Sequence, residues 1–274
     1  MKKLITRTIT GLIFITIVIA SICWSVYSFM LVFLIISLLG IHEFYKLSLL
    51  KNVKPQFTNG YVLGAYLFLS ISLYAHNIIG LEFVLLNLPL SFLILIIELY
   101  RKYDQPFTNI AFTLLGIYYI ALPLALLNFL YSPFQMRGEF NTHILLGFFI
   151  ITWLSDTAAY LVGSAIGKHK LFERISPGKT WEGIIGAVVF GILTAYVLSL
   201  IFKDLMFYQW AVISVIIVVI GTLGDLTESL LKRSVNVKDS GTIMPGHGGI
   251  LDRFDGVFFA AIFVFIYIYF FIAN

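Results

Sequence analysis

The chain has 274 residues, of which 60% are hydrophobic and 12% charged, with a mean hydropathy of +0.97 and a formal net charge of +4. A soluble domain carries about 25% charged residues, so a soluble globular enzyme is excluded. The single Cys23 also excludes an intrachain disulfide.

Apolar runs near or beyond the roughly 18 residues that span a hydrocarbon core predict a polytopic membrane protein. Lipid tolerates no open sheet edge, so the fold class is all-α. About nine transmembrane helices are expected, near 8–26, 28–46, 60–76, 80–99, 109–131, 143–163, 183–202, 208–231 and 254–273. The boundary between the first two, from Ser25 to Ser28, is the least marked. Met1-Lys2-Lys3 and the run that follows resemble a signal peptide, but without a small-x-small cleavage pattern an uncleaved first span is the simpler reading.

Positive charge orients the bundle, because Lys and Arg collect in cytoplasmic loops. With the N-terminus inside and the C-terminus outside, sixteen of the 18 Lys and Arg fall on the cytoplasmic side, leaving Arg137 and Lys203 outside. The chain reads as one polytopic domain, with 1–142 as scaffold helices and 143–274 as the catalytic half. The two most charged cytoplasmic loops, 164–182 and 232–253, belong to that half.

Carboxylates mark the chemistry. An ionisable group inside a span costs about 2.5–3.5 kcal/mol on insertion scales and usually faces a partner or a wet cavity. Asp225 and Glu228 share a helix face one turn before Lys232, and Asp252 and Asp255 repeat that spacing at the entry to the last span. Hard oxygen donors of this kind suit Mg²⁺, which keeps several waters and is completed by substrate phosphates. In the alternative, Asp252 pairs with Arg253 or Lys232 and Asp255 caps the last helix.

Between those helix ends lies Pro245-Gly246-His247-Gly248-Gly249, beside Lys232, Arg233, Lys238, Asp239 and Arg253. Bare backbone at Gly248 and Gly249 allows close approach to an anion, and the turn reads as a phosphate cradle. His247 fits either a phosphate contact or a structural hydrogen bond in the turn. In the other loop, Ser176-Pro177-Gly178-Lys179-Thr180 places Lys179 before a helix that Thr180 caps. Asp156 and Tyr160 stand one helical turn apart among small residues, as a ligand contact or as a polar helix contact. His42, His76 and His143 lie near span ends without ligand-spaced partners, His169 belongs to the basic loop as an exposed residue or a phosphate contact, and the first half is read as scaffold and lipid contact.

The run Ser229-x2-Lys232-Arg233-x4-Lys238-Asp239-x-Gly241-x3-Pro245-x-His247-Gly248-Gly249-x2-Asp252-Arg253-x-Asp255 resembles the signature of phosphatidate cytidylyltransferases, the CDP-diacylglycerol synthases. A second block, from Asp156-Thr157 through Tyr160, Gly163, Gly167-Lys168 and Ser176-Pro177-x-Lys179-Thr180-Trp181-Glu182-Gly183, is similar to that family too. Ala158, Ser164 and Gly178 depart from its pattern, where glycine, arginine and lysine are frequent. The resemblance covers residues 153–255.

The resemblance implies transfer of the CMP moiety of CTP to phosphatidic acid, with Mg²⁺ required and a second cation left open. It places Asp225 and Asp252 as metal ligands, Lys232, Arg233 and Arg253 on the lipid phosphate or the departing pyrophosphate, and Lys179 with the 176–183 turn on the triphosphate. Asp239, His247 and Asp255 then position this shell. The implied partners are CTP, phosphatidic acid and the lipid bilayer, with no nucleic acid, and a homodimer by analogy alone. The expected location is the bacterial cell membrane with the active site facing the cytoplasm. Rival classes are another Mg²⁺-dependent membrane phosphotransferase and a secondary transporter using Asp156, Asp225 and Glu228, although transporters usually repeat polar chemistry in both halves.

Overall fold

In a computed structural model, residues 2–131, 142–246 and 248–272 are described. Arg137, within the expected break at 132–141, and His247 lie outside those residues. Helix α1 is Lys2–Trp24 and α2 is Val26–Leu49. The break between them is a capping box. The Ser28 amide donates to Ser25 Oγ at 3.1 Å, and the Ser25 amide donates to Ser28 Oγ at 3.0 Å. Two orphan amides at a helix start are thereby satisfied, which sets a boundary that hydropathy leaves blurred.

Helix α3 is Phe57–Ala75, and the next apolar segment divides into α4, Leu81–Leu85, and α5, Asn87–Tyr100. Pro89, early in α5, cannot donate to the carbonyl four residues back, a sufficient reason for the break at Leu86. Helix α6, Pro106–Gly116, passes through a π-helical stretch, Ile117–Ala121, into α7, Leu122–Tyr131. Pro123 follows that stretch and likewise lacks an amide for the regular ladder. Helices α8 (His143–Ile166), α9 (Trp181–Ile201), α10 (Phe207–Ser234) and α11 (Leu251–Phe271) complete the series.

The helices fall on the apolar segments expected from the sequence, and among the described residues seven stretches are long and apolar enough to cross a membrane. They are Val26–Leu49, Leu81–Tyr100, Pro106–Tyr131, His143–Ile166, Trp181–Ile201, Phe207–Ser234 and Leu251–Phe271, and α1 adds the shorter apolar Thr8–Trp24. The protein is an all-α membrane protein with one small addition. Strands β1, Lys170–Phe172, and β2, Ser176–Thr180, form an antiparallel hairpin in the loop before α9.

The chain forms two compact units, Met1–Phe129 with Ser234–Arg253, and Leu130–Arg233 with Phe254–Asn274. The first has a core that includes Phe29, Phe33, Ile41, Tyr45, Phe68 and Ile94. Its cytoplasm-expected ends are tied by Glu98, whose oxygens accept from Gln56 Nε2 at 2.7 Å, Asn109 Nδ2 at 3.0 Å and Arg101 Nη1 at 2.7 Å. A buried carboxylate so fully matched is a structural pin. The second unit buries Phe148, Phe149, Trp210, Ile213 and Phe258. Glycines make its helix contacts close: a Cβ at Gly183 of α9 would stand 2.9 Å from the Ala159 carbonyl oxygen of α8. Such small-residue contacts suit helices that associate in lipid, where packing and not solvent exclusion drives them together.

Candidate active site

The candidate residues fall into two groups, one in each unit. The division lies in the first turn of α11, so Asp252 is counted with the first unit and Asp255 with the second.

In the second unit, three elements supply charge. Strand β2 carries Lys179, which is ion-paired with Asp225 of α10. The Asp225 carboxylate also accepts from Ser229 Oγ at 3.2 Å, one turn on. Glu228 is 2% exposed and Lys232 8% exposed, and the two pair across the next turn of the same helix. Asp255 of α11 interacts electrostatically with Asp225, Glu228 and Lys179.

Glycines explain why these groups converge. A Cβ at Gly224 would lie 2.6 Å from the Asp255 carbonyl oxygen, and one at Gly256 would lie 3.2 Å from that of Gly221. Backbone meets backbone where α10 and α11 cross, which places Asp225, next to Gly224, beside the start of α11. Three carboxylates and two ammonium groups thus share one locality. Helix α9 begins at Thr180, whose hydroxyl accepts from the Gly183 amide at 3.2 Å, the cap expected from the sequence. Ser176 opens β2, half-buried, while Arg233 is exposed at the end of α10. Asp156 and Tyr160 lie on the exposed side of α8, one turn apart.

In the first unit, the loop after α10 is folded around two carboxylates. Asp252 Oδ2 accepts from the Ser240 amide at 2.9 Å, the Ser240 hydroxyl at 2.9 Å and the Gly249 amide at 2.8 Å. The Ser240 hydroxyl also lies 3.1 Å from Glu43 Oε2, which accepts from the Leu251 amide at 3.0 Å. Glu43 belongs to α2, in the half that sequence reasoning read as scaffold. Its connection to this loop spans about two hundred positions, and no periodicity or local motif encodes it.

Gly248 and Gly249 also abut these carboxylates. Gly248 has φ +87, a conformation that favours glycine, and its Cβ would stand 2.6 Å from Asp252 Oδ2. A Cβ at Gly249 would stand 2.3 Å from Glu43 Oε2. The turn is closed by the Met244 amide, which donates to the Gly248 carbonyl at 3.0 Å, and is tied to α1 by Thr10, whose hydroxyl donates to the Pro245 carbonyl at 3.1 Å. Lys238, Asp239 and Arg253 are exposed on this unit.

Among the described residues no three His, Cys, Asp or Glu side chains form a ready-made metal-binding set. A cation completed by phosphates does not need one, since Mg²⁺ takes one or two carboxylates and fills its shell with substrate and water. The oxygen donors of Asp225 and Asp255 fit that requirement, with ammonium groups at hand for phosphate oxygens.

A cytidylyltransferase family model matches residues 5–271. A phosphatidate cytidylyltransferase of Staphylococcus saprophyticus is 41% identical over 174 residues, covering 63% of this chain and 64% of the relative. Relatives of the same name from Staphylococcus epidermidis and Staphylococcus aureus are 42% and 40% identical, each over 174 residues. The matched stretch therefore spans a little under two thirds of these relatives' length. With a family model matching nearly the whole described chain, the protein belongs to the cytidylyltransferase family.

Proposed function

We propose that this protein transfers the CMP moiety of CTP to phosphatidic acid, giving CDP-diacylglycerol and pyrophosphate. The cluster of Lys179, Asp225, Glu228, Lys232 and Asp255 carries this reading in a chain whose family is cytidylyltransferase. A transporter would need those charges along a pathway, whereas here they gather where two helices cross and a hairpin reaches in.

The reaction joins two anions. An oxygen of the phosphatidate phosphomonoester attacks the α-phosphorus of CTP, and the bond from that phosphorus to the oxygen bridging to the β-phosphorus breaks. The pyrophosphate leaves with that electron pair. The phosphomonoester is already largely ionised near neutral pH, so alignment and charge neutralisation matter more than a strong base. Lys179 is assigned to the triphosphate, exchanging its contact with Asp225 for phosphate oxygens. Lys232, Arg233 and Arg253 are assigned to the lipid phosphate and the leaving pyrophosphate.

Asp225 is the proposed Mg²⁺ ligand of the second unit, with Asp255 beside it, and Asp252 is the proposed ligand of the first. Bound Mg²⁺ would offset charge on the phosphates. The finer setting belongs to the same proposal: nine spans, N-terminus inside, and a site at the cytoplasmic boundary of the cell membrane. There CTP arrives from water while the acyl chains stay in lipid.

The test incubates detergent-solubilised protein with phosphatidic acid, Mg²⁺ and CTP labelled at its α-phosphate. Label should enter the lipid phase only when phosphatidate and Mg²⁺ are both present, and Asp225→Asn should abolish it. Folded wild-type protein that leaves all label in water would overturn the proposal.

A further inference from the structure

Two buried carboxylates in the first unit play contrasting parts. Glu98 is matched by an arginine and two amides. Glu43 is 2% exposed, and among the described residues no Lys or Arg pairs with it. Its Oε1 has no hydrogen-bond partner there, while Oε2 accepts from the Leu251 amide and lies 3.1 Å from the Ser240 hydroxyl, whose single proton it shares with Asp252 Oδ2. Burying a carboxylate without a cation costs stability that an apolar residue of similar volume would not. Packing alone therefore gives no reason for Glu43.

The loop is shaped to receive this carboxylate. A Cβ at Gly241 would stand 2.4 Å from Glu43 Oε1, and one at Gly249 would stand 2.3 Å from Oε2 and 2.1 Å from Ser240 Oγ. Two glycines thus clear space for Glu43, and the Ser240 hydroxyl spans from it to Asp252 Oδ2. The Leu251 amide opens α11, so the same carboxylate oxygen also fixes where that helix starts. Both groups that donate to Glu43 Oε2, the Ser240 hydroxyl and the Leu251 amide, belong to the segment that presents Asp252.

We infer that Glu43 is a positioning residue for the proposed transfer: from α2 it fixes Ser240 and the first turn of α11, and through them the Asp252 carboxylate. The inference rests on the reaction proposed above, because it assigns Glu43 a role through Asp252 and not on substrate. A glutamine at this position keeps an oxygen acceptor for Ser240 and Leu251, removes the charge and replaces the unpartnered Oε1 with an amide NH2.

The experiment compares full-length wild type, Glu43→Ala, Glu43→Gln and Ser240→Ala. It reads kcat and KM for both substrates together with hydrogen exchange of the peptide covering 240–251. Glu43→Ala is expected to lower kcat about 10- to 100-fold with little change in KM for CTP. Exchange of the 240–251 peptide should rise about tenfold, since an exposed amide loses its protection on local opening. Glu43→Gln should recover kcat to within about threefold of wild type, because the acceptor geometry is retained. Ser240→Ala, which leaves the helix itself untouched, should lower kcat in the same direction.

Faster exchange without a change in kcat would reduce Glu43 to a scaffold residue and overturn the inference. Glu43→Gln as impaired as Glu43→Ala would overturn it too, showing that the charge acts directly. Wild-type protein that transfers no label would remove the reaction, and this role with it. The exchange arm would still separate that failure from failure of the Glu43 contacts.

Discussion

Lys179 and Asp225 form an ion pair between the hairpin strand β2 and helix α10. The pair ties the hairpin before α9 to α10 within the second unit. It also supplies a partly exposed cation to a locality that holds two further carboxylates, Glu228 and Asp255.

Substitution of that lysine should therefore be felt mainly by the nucleotide. Lys179→Ala is expected to lower kcat/KM for CTP about 10- to 100-fold, as loss of a charge-assisted phosphate contact does. Lys179→Arg should retain more of it. Initial rates over a range of CTP concentrations at fixed phosphatidate decide the matter, and an unchanged KM for CTP would move Lys179 out of the triphosphate site.

The crossing of α10 and α11 gives a stability prediction. A methyl group at position 224 would stand 2.6 Å from the Asp255 carbonyl oxygen, and backbone cannot swing aside as a side chain can. Gly224→Ala should destabilise the protein by about 1–3 kcal/mol, in the range of overpacked cores. It should also depress activity by parting Asp225 from Asp255. Thermal unfolding in detergent, run beside the label-transfer assay, measures both effects.

A third prediction isolates a local interaction far from chemistry. Ser25→Ala removes the side-chain half of the box that starts α2 and should lower stability by about 1 kcal/mol. Activity at a temperature well below the unfolding midpoint should stay as in wild type. A large loss of activity would show that the α1–α2 junction serves more than helix capping.

Metal removal provides the fourth. Chelation with EDTA should stop label transfer and added Mg²⁺ should restore it, with Asp225→Asn failing to recover at any Mg²⁺ concentration. Full recovery of that variant at high Mg²⁺ would leave Asp225 as a contributor to affinity alone.

What was readable in the sequence follows from the range of each interaction. Spans are local properties of composition, so the apolar segments align with the helices, and Thr180 announces itself as a cap because its partner, the Gly183 amide, is three residues away. The hairpin at 170–180 was missed. Strands of three and five residues, the second carrying Pro177 and Gly178, show no alternation of polar and apolar positions. The π-helical stretch at Ile117–Ala121 leaves no compositional trace either. Glu43 was beyond local reading for another reason. Its partners are Ser240 and Leu251, so its neighbours in sequence report only an apolar helix. The glycines at 241 and 249 were the available signal, but in sequence they read equally as room for an external anion.

The close passage of α10 and α11 at Gly221, Gly224 and Gly256 also has a bearing on how the chain is made. Helix α11 follows every other described helix, so during synthesis α10 enters the bilayer with Asp225 and Glu228 before Asp255 exists. At that stage Lys179 and Lys232 supply one positive charge for each negative one, a formally balanced set that a nascent membrane protein tolerates. Asp255 arrives with α11 and tips the formal balance to negative. The third carboxylate of this locality is thus the last of the set to be installed.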